Sequence, residues 1–145
     1  MNDTLKLSRA STVIKATALT AVGVAVCAMV PTAVAVADTP NLVGSWSGHR
    51  ERIASTEGYR NGDATLVITD QVGWTFKGSM TWTTPQGDMS DPLVGAFTPD
   101  GTLISGADGE GTYTFALVDA VTLDYCYAEH GDGFRTTCAR LQKQG

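Results

Sequence analysis

The sequence predicts an all-β domain, an eight-stranded antiparallel up-and-down barrel, placed after a signal peptide. Three observations carry this. Residues 74–82 read Trp-Thr-Phe-Lys-Gly-Ser-Met-Thr-Trp, with a large apolar residue or glycine at every second position, and only a strand with one buried face has that period. Similar short stretches recur at regular spacing over residues 42–142, separated by turns rich in Gly, Pro, Asn and Asp. The N-terminus has a basic start, an apolar run and a small-residue cleavage motif.

That leader comprises Lys6, Arg9 and Lys15, then the apolar residues 16–30, the helix-breaking Pro31, and Ala35-Val36-Ala37. Cleavage is expected between Ala37 and Asp38, which makes 1–37 a signal peptide and 38–145 the barrel domain. An uncleaved anchor is the rival, because the apolar run is nearly long enough to span a bilayer. Pro31 and the Ala-x-Ala site favour cleavage. Cys27 follows Val26, whereas lipidation needs a small residue before the cysteine, so a lipoprotein is not expected. The resulting localisation is secreted or cell-envelope.

From Asp38 onward the chain holds seven Lys or Arg and fourteen Asp or Glu, a formal net charge of −7. Nucleic acid and anionic membrane surfaces need a basic footprint, so neither is an expected partner. Cys126 and Cys138 form an even pair in an exported chain, which reads as a disulfide. Eleven residues separate them, too many for a redox Cys-x-x-C, and no metal-ligand spacing accompanies them.

The strands are expected at 42–53, 64–69, 74–82, 93–98, 102–107, 112–118, 121–128 and 134–142. Residues 54–62 and 83–91 are expected as long loops. Residues 70–73, 99–101, 108–111, 119–120 and 131–133 are expected as tight turns. Hairpin connections between all neighbours favour a meander, and closing it removes the exposed sheet edges.

The last hairpin has a register that can be tested. With Asp132 at the turn centre, Cys126 faces Cys138 and Asp124 faces Arg140 on the outer face. Leu123, Tyr125 and Tyr127 then face Leu141, Ala139 and Thr137 on the inner one. A one-residue slip in either strand would turn all of its side chains over. The exposed ion pair contributes little, whereas the disulfide closes a small loop, for which chain entropy gives about 3 kcal/mol.

In a meander the odd-to-even connections gather at one end. Those between strands one and two and three and four are expected to be long, so that end is the open one. Trp46, Trp74, Phe97 and Leu117 fall toward the closed end as a core plug. Arg50, Arg52, Trp82, Tyr113, Tyr125 and Tyr127 fall toward the mouth. An eight-stranded barrel is just wide enough to be filled or to hold one small ligand, and the mouth aromatics suit either. Buried tyrosine hydroxyls need partners, which a ligand or water could supply. Strict alternation from Trp46 points Arg50 and Arg52 inward, where an anionic ligand group would answer them. The preferred reading places a bulge at Gly48 that turns both outward.

Gly44-Ser45-Trp46 matches the Gly-x-Trp on the first strand of calycin barrels, and Asp124-Tyr125-Cys126-Tyr127 echoes the lipocalin Thr-Asp-Tyr segment with Leu123 in place of threonine. Arg140 stands near the late-strand arginine that covers the tryptophan in lipocalins. With the eight-strand order over 42–142, the chain resembles the calycin superfamily of lipocalins and avidins. The resemblance implies a small-molecule binder. It does not extend to a biotin site, because every tryptophan lies at or before position 82.

His49 and His130 have no nucleophile or carboxylate at a motif spacing, and no G-x-S-x-G, H-E-x-x-H or phosphate loop is present. The Asp-Gly pairs read as turns rather than calcium loops. The expectation is a protein that is not an enzyme and holds no metal or cofactor. It binds a small, partly apolar ligand, with an anionic group as one option, through Arg50, Trp82, Tyr113, Tyr125 and Tyr127. The alternative is a secreted protein-binding barrel, such as a hydrolase inhibitor, using residues 38–41 as an arm.

Overall fold

The computed structural model describes residues 39–145; the expected signal peptide, its cleavage point and Cys27 lie outside them. Eight strands run in chain order: β1 (Gly44–Ala54), β2 (Gly58–Val72), β3 (Thr75–Thr84), β4 (Gly87–Phe97), β5 (Ile104–Ala107), β6 (Gly111–Asp119), β7 (Thr122–Glu129) and β8 (Arg135–Lys143). Each pairs antiparallel with the next, and β1 pairs with β8, so the sheet closes into an up-and-down barrel. The register of the last hairpin is the expected one. Leu123 faces Leu141, Asp124 faces Arg140, Tyr125 faces Ala139, Cys126 faces Cys138 and Tyr127 faces Thr137. Cys126 and Cys138 are joined, and Arg140 forks onto both oxygens of Asp124 at 2.7 and 2.8 Å on the outer surface.

Alternation drives the packing. On β1, Trp46, Arg50, Arg52 and Ala54 are all buried, while His49, Glu51 and Ile53 between them are exposed. The apolar inward positions fill the lower half of the barrel, with Trp46, Leu66, Ile68, Phe76, Phe97, Phe115, Leu123 and Leu141 in one cluster. Each such side chain contributes about 1.5–3 kcal/mol by leaving water. The chain entering β1 seals this end. Leu42 is buried, its carbonyl accepts from the Trp46 indole N–H at 2.8 Å, and its own N–H donates to the Gln71 Oε1 at 2.8 Å. The cation over the Trp46 ring is Lys143, 5.0 Å from the centroid. Arg140 points outward, as the register requires.

Two inward glycines allow the strands to turn the barrel's corners. A Cβ on Gly48 would lie 2.0 Å from the Arg140 carbonyl oxygen, and one on Gly78 would lie 2.0 Å from that of Val67. Neighbouring backbone crosses directly over both positions, and only glycine leaves that space.

The structure departs from the sequence reading in four places. The connections at 54–62 and 83–91 are not long loops: β1 and β2 pair up to Ala54–Gly58, and β3 and β4 up to Thr84–Gly87. The polar residues there sit on strand hairpins that rise above the barrel wall, where both faces meet water and no apolar alternation is demanded. The short turn expected at 99–101 is a longer connection, residues 98–103, between β4 and β5. Trp74 is not part of the core plug. Val72 pairs with Thr75, which leaves Gly73 and Trp74 as a two-residue turn with Gly73 at φ 56°, and Trp74 is 45% exposed. Parity does not extend into a turn, and Phe76 packs against Phe97 instead, centroids 6.2 Å apart. Finally, no bulge occurs at Gly48. The β1–β2 register runs unbroken from Gly44 to Ala54, so Arg50 and Arg52 point inward.

Candidate functional site

Ladder register explains which side chains meet at the mouth. One row across three strand boundaries carries Arg50, Ala139, Tyr125 and Phe115; the row above it carries Arg52, Thr137, Tyr127 and Tyr113. Small residues on β8 separate the arginines of β1 from the aromatics of β7. They leave a gap that the long side chains lean into.

That gap is a cavity lined by Arg50, Arg52, Met80, Trp82, Tyr113, Tyr125, Tyr127, Arg135 and Thr137. All five residues singled out from the sequence are among them. Its free space is small, about 30 Å³, enough for one or two water molecules. Counted with every gap between its lining atoms and the open solvent at its mouth, the same cavity encloses about 390 Å³. Met80 and Phe115 cap the filled half below, where Tyr113 stacks on Phe115 with centroids 5.6 Å apart.

The three arginines differ in their partners. Arg52 pairs with Glu57, and Arg60 adds a second cation to that carboxylate at 3.8 Å. Arg135 pairs with Glu129 and reaches Glu110 at 3.6 Å. Arg50 has no carboxylate partner among the described residues. Its Nη2 donates to the Thr83 carbonyl at 3.0 Å, and its Nε is sealed from solvent without an acceptor. The Nε of Arg52 is in the same condition. Burial lowers the pKa of Arg50, an effect that Tyr125 opposes and that Arg52 and Arg135 reinforce. An arginine nevertheless keeps its charge in protein. No carboxylate lines the cavity.

The tyrosines divide as well. Tyr113 donates its hydroxyl to Asp108 at 2.8 Å, and Tyr127 donates to the same carboxylate at 3.2 Å. Asp108 also accepts the backbone N–H groups of Glu110 and Gly111, so the β5–β6 turn holds both rings. Burial first, and then Asp108, raises the phenol pKa of each. Tyr125 has no hydroxyl partner among the described residues. Burial pushes its pKa up to about 12 against the pull of Arg50, so it keeps its proton and its donor capacity at neutral pH.

Four contributors to the site were missed by sequence reasoning. Arg135 and Thr137 were legible, because the register that set Tyr127 opposite Thr137 also puts Arg135 on the same inner face. Met80 shares the parity of Trp82. Asp108 left no signal beyond its turn, since its role depends on β5 being only four residues long. His49 and His130 are both exposed and stand away from the cavity lining.

A closed barrel of eight antiparallel strands with one filled end and one open end is a calycin-like fold. No known family profile matches the sequence, and no curated protein matches it. Solved structures share the barrel at low identity. A protein of unknown function from the DUF3598 family of Nostoc punctiforme superposes with a TM-score of 0.54 at 12% identity, over 79% of this chain and 53% of that one. An S-type phycobiliprotein lyase from Guillardia theta gives 0.52 at 10% identity, over 72% of this chain and 89% of its own. EF1p2_mFAP2b, solved bound to DFHBI, gives 0.50 at 13% identity, over 71% and 94%. These similarities show the fold.

Proposed function

We propose that this protein is an exported barrel that binds a small, partly apolar ligand at its open end, and that its role is binding rather than turnover. The observation that carries the reading is the cavity between Arg50, Trp82 and Tyr125, whose polar groups converge on space that the core does not fill. One similar barrel is a phycobiliprotein lyase and another was solved with a small molecule bound, which supports the reading by analogy of fold. The Cys126–Cys138 disulfide fits an oxidising compartment. The protein-binding alternative would use an N-terminal arm. Within that arm, residues 38–41, the Pro40 carbonyl accepts from Gln71 Nε2 at 2.8 Å at the closed end.

The test is a native mass spectrum of the secreted chain purified from its own medium. The expected result is an added mass that leaves on denaturation. A bare protein mass in every charge state counts against a resident ligand.

A further inference from the structure

We propose that the ligand is a small aromatic monocarboxylate whose carboxylate sits between Arg50 and the Tyr125 hydroxyl while its ring lies toward the open mouth. This rests on the small-ligand reading and names the chemical class that the site selects.

Charge comes first. Three arginines line the cavity, and two are already matched by carboxylates, Arg52 by Glu57 and Arg135 by Glu129. Arg50 alone is left without one, at 7% exposure and with its Nε facing no acceptor. A buried guanidinium in that state calls for one negative charge. A dianion would find no second unmatched cation.

Geometry comes next. Arg50 and Tyr125 lie in the same ladder row, with only Ala139 between them. Both hold unused donors, the guanidinium N–H groups and a phenol O–H, and a carboxylate accepts both kinds in charge-assisted bonds. The cavity that both line has only about 30 Å³ of free space, which suits a carboxylate group, little larger than two waters, so a ring must lie toward the open mouth. Trp82 and Tyr127 line the same cavity and are only partly buried, so they offer aromatic surface to the body of a ligand. Tyr113 and Tyr127 are already committed to Asp108, so they offer ring surface more than hydroxyls.

The experiment uses the folded secreted chain and three probes: benzoate, its neutral isostere benzamide, and inorganic phosphate as a competitor. Binding is read by saturation-transfer NMR and calorimetry at low salt. Benzoate is expected to bind roughly tenfold more tightly than benzamide, with phosphate displacing it poorly. Arg50→Gln should bring benzoate down to the level of benzamide. Tyr125→Phe, which keeps the ring and all its packing, should weaken benzoate by roughly threefold or more and leave benzamide unchanged. Equal binding of benzoate and benzamide would overturn the carboxylate assignment and leave the small-ligand reading standing. Displacement by phosphate at benzoate-like concentration would overturn the monocarboxylate class. No binding of either aromatic probe overturns the proposal, and a bare native mass beside it overturns the small-ligand reading too.

Discussion

Arg50→Met separates a residue kept for a ligand from one kept for the fold, because the two roles predict opposite signs. Arg50 retains 7% of its surface and makes one hydrogen bond, Nη2 to Thr83 O at 3.0 Å. That bond from a charged donor contributes about 1.5–3 kcal/mol. Thr83 is exposed, so its carbonyl returns to water when the donor is removed. On the other side stand the unanswered Nε, costing about 1–3 kcal/mol, and the desolvation of the guanidinium, several kcal/mol more. Methionine has a similar reach and a flexible stem that packs against Met80 and the tyrosine rings. The first two terms nearly cancel, and the balance favours the variant by about 1–4 kcal/mol, the range found when buried ionic groups are replaced by hydrophobes, with Tm rising about 4–8 °C per kcal/mol. Thermal and urea unfolding followed by circular dichroism would measure it. A variant destabilised by about 1 kcal/mol or more would refute the reasoning, and would show that Arg50 holds the β3–β4 hairpin to β1.

Three further perturbations bear on the frame around the site. Replacing both Cys126 and Cys138 by serine should lower stability by about 3 kcal/mol in urea without altering the β7–β8 register; a loss under about 1 kcal/mol would mean that strand pairing alone fixes the hairpin. Trp46→Ala should cost about 3–5 kcal/mol, because Trp46 is fully buried, while Trp74→Ala should stay within about 0.5 kcal/mol; comparable losses in the two would contradict the exposed turn position of Trp74. High pH should unfold the barrel. Burial raises the phenol pKa of Tyr125 from 10.0 to about 12 and those of Tyr113 and Tyr127 in the same direction. The unfolded chain therefore ionises first, and this stability is complete below pH 10 and lost as pH rises toward the folded values. Urea midpoints should be flat up to pH 10 and fall above it, and an unchanged midpoint at pH 12 would show that these rings are solvated.

Much of this fold was legible because the period of two is strict wherever one face is buried. The pairing of Cys126 with Cys138 and of Asp124 with Arg140 followed from a single choice of turn centre, and the same choice oriented Tyr125 and Tyr127. Where it failed, a second constraint had replaced alternation. The hairpins at 54–62 and 83–91 stand above the wall with water on both faces, so strand residues there read as loop. Trp74 sits in a turn, where the Gly73 backbone sets direction. The sequence favours a bulge at Gly48 because it would spare Arg50 and Arg52 burial without a charge partner. Gly48 instead serves the close crossing of β8, a contact between strands far apart in sequence, and the unbroken β1 register turns both arginines inward.

The division between core and site comes from one strand face changing character along its length. From Trp46 to Arg52 the inward residues of β1 run from aromatic to glycine to cation, and on β7 they run from Leu123 to Tyr125 to Tyr127. Both strands become more polar in the same direction, and antiparallel pairing through β8 brings their polar ends to the same rim. A barrel meant only to be stable would continue the apolar series upward, since a buried ion gives less than a packed hydrophobe of its volume. Here three arginines enter the interior, two of them matched by glutamates on the hairpins and one left unmatched at the deepest position. Glu57 and Glu129 show that carboxylates could have been placed at this rim, so the missing partner of Arg50 is specific to that depth. Arg50, which lacks it, lines the same small cavity as the unpartnered Tyr125.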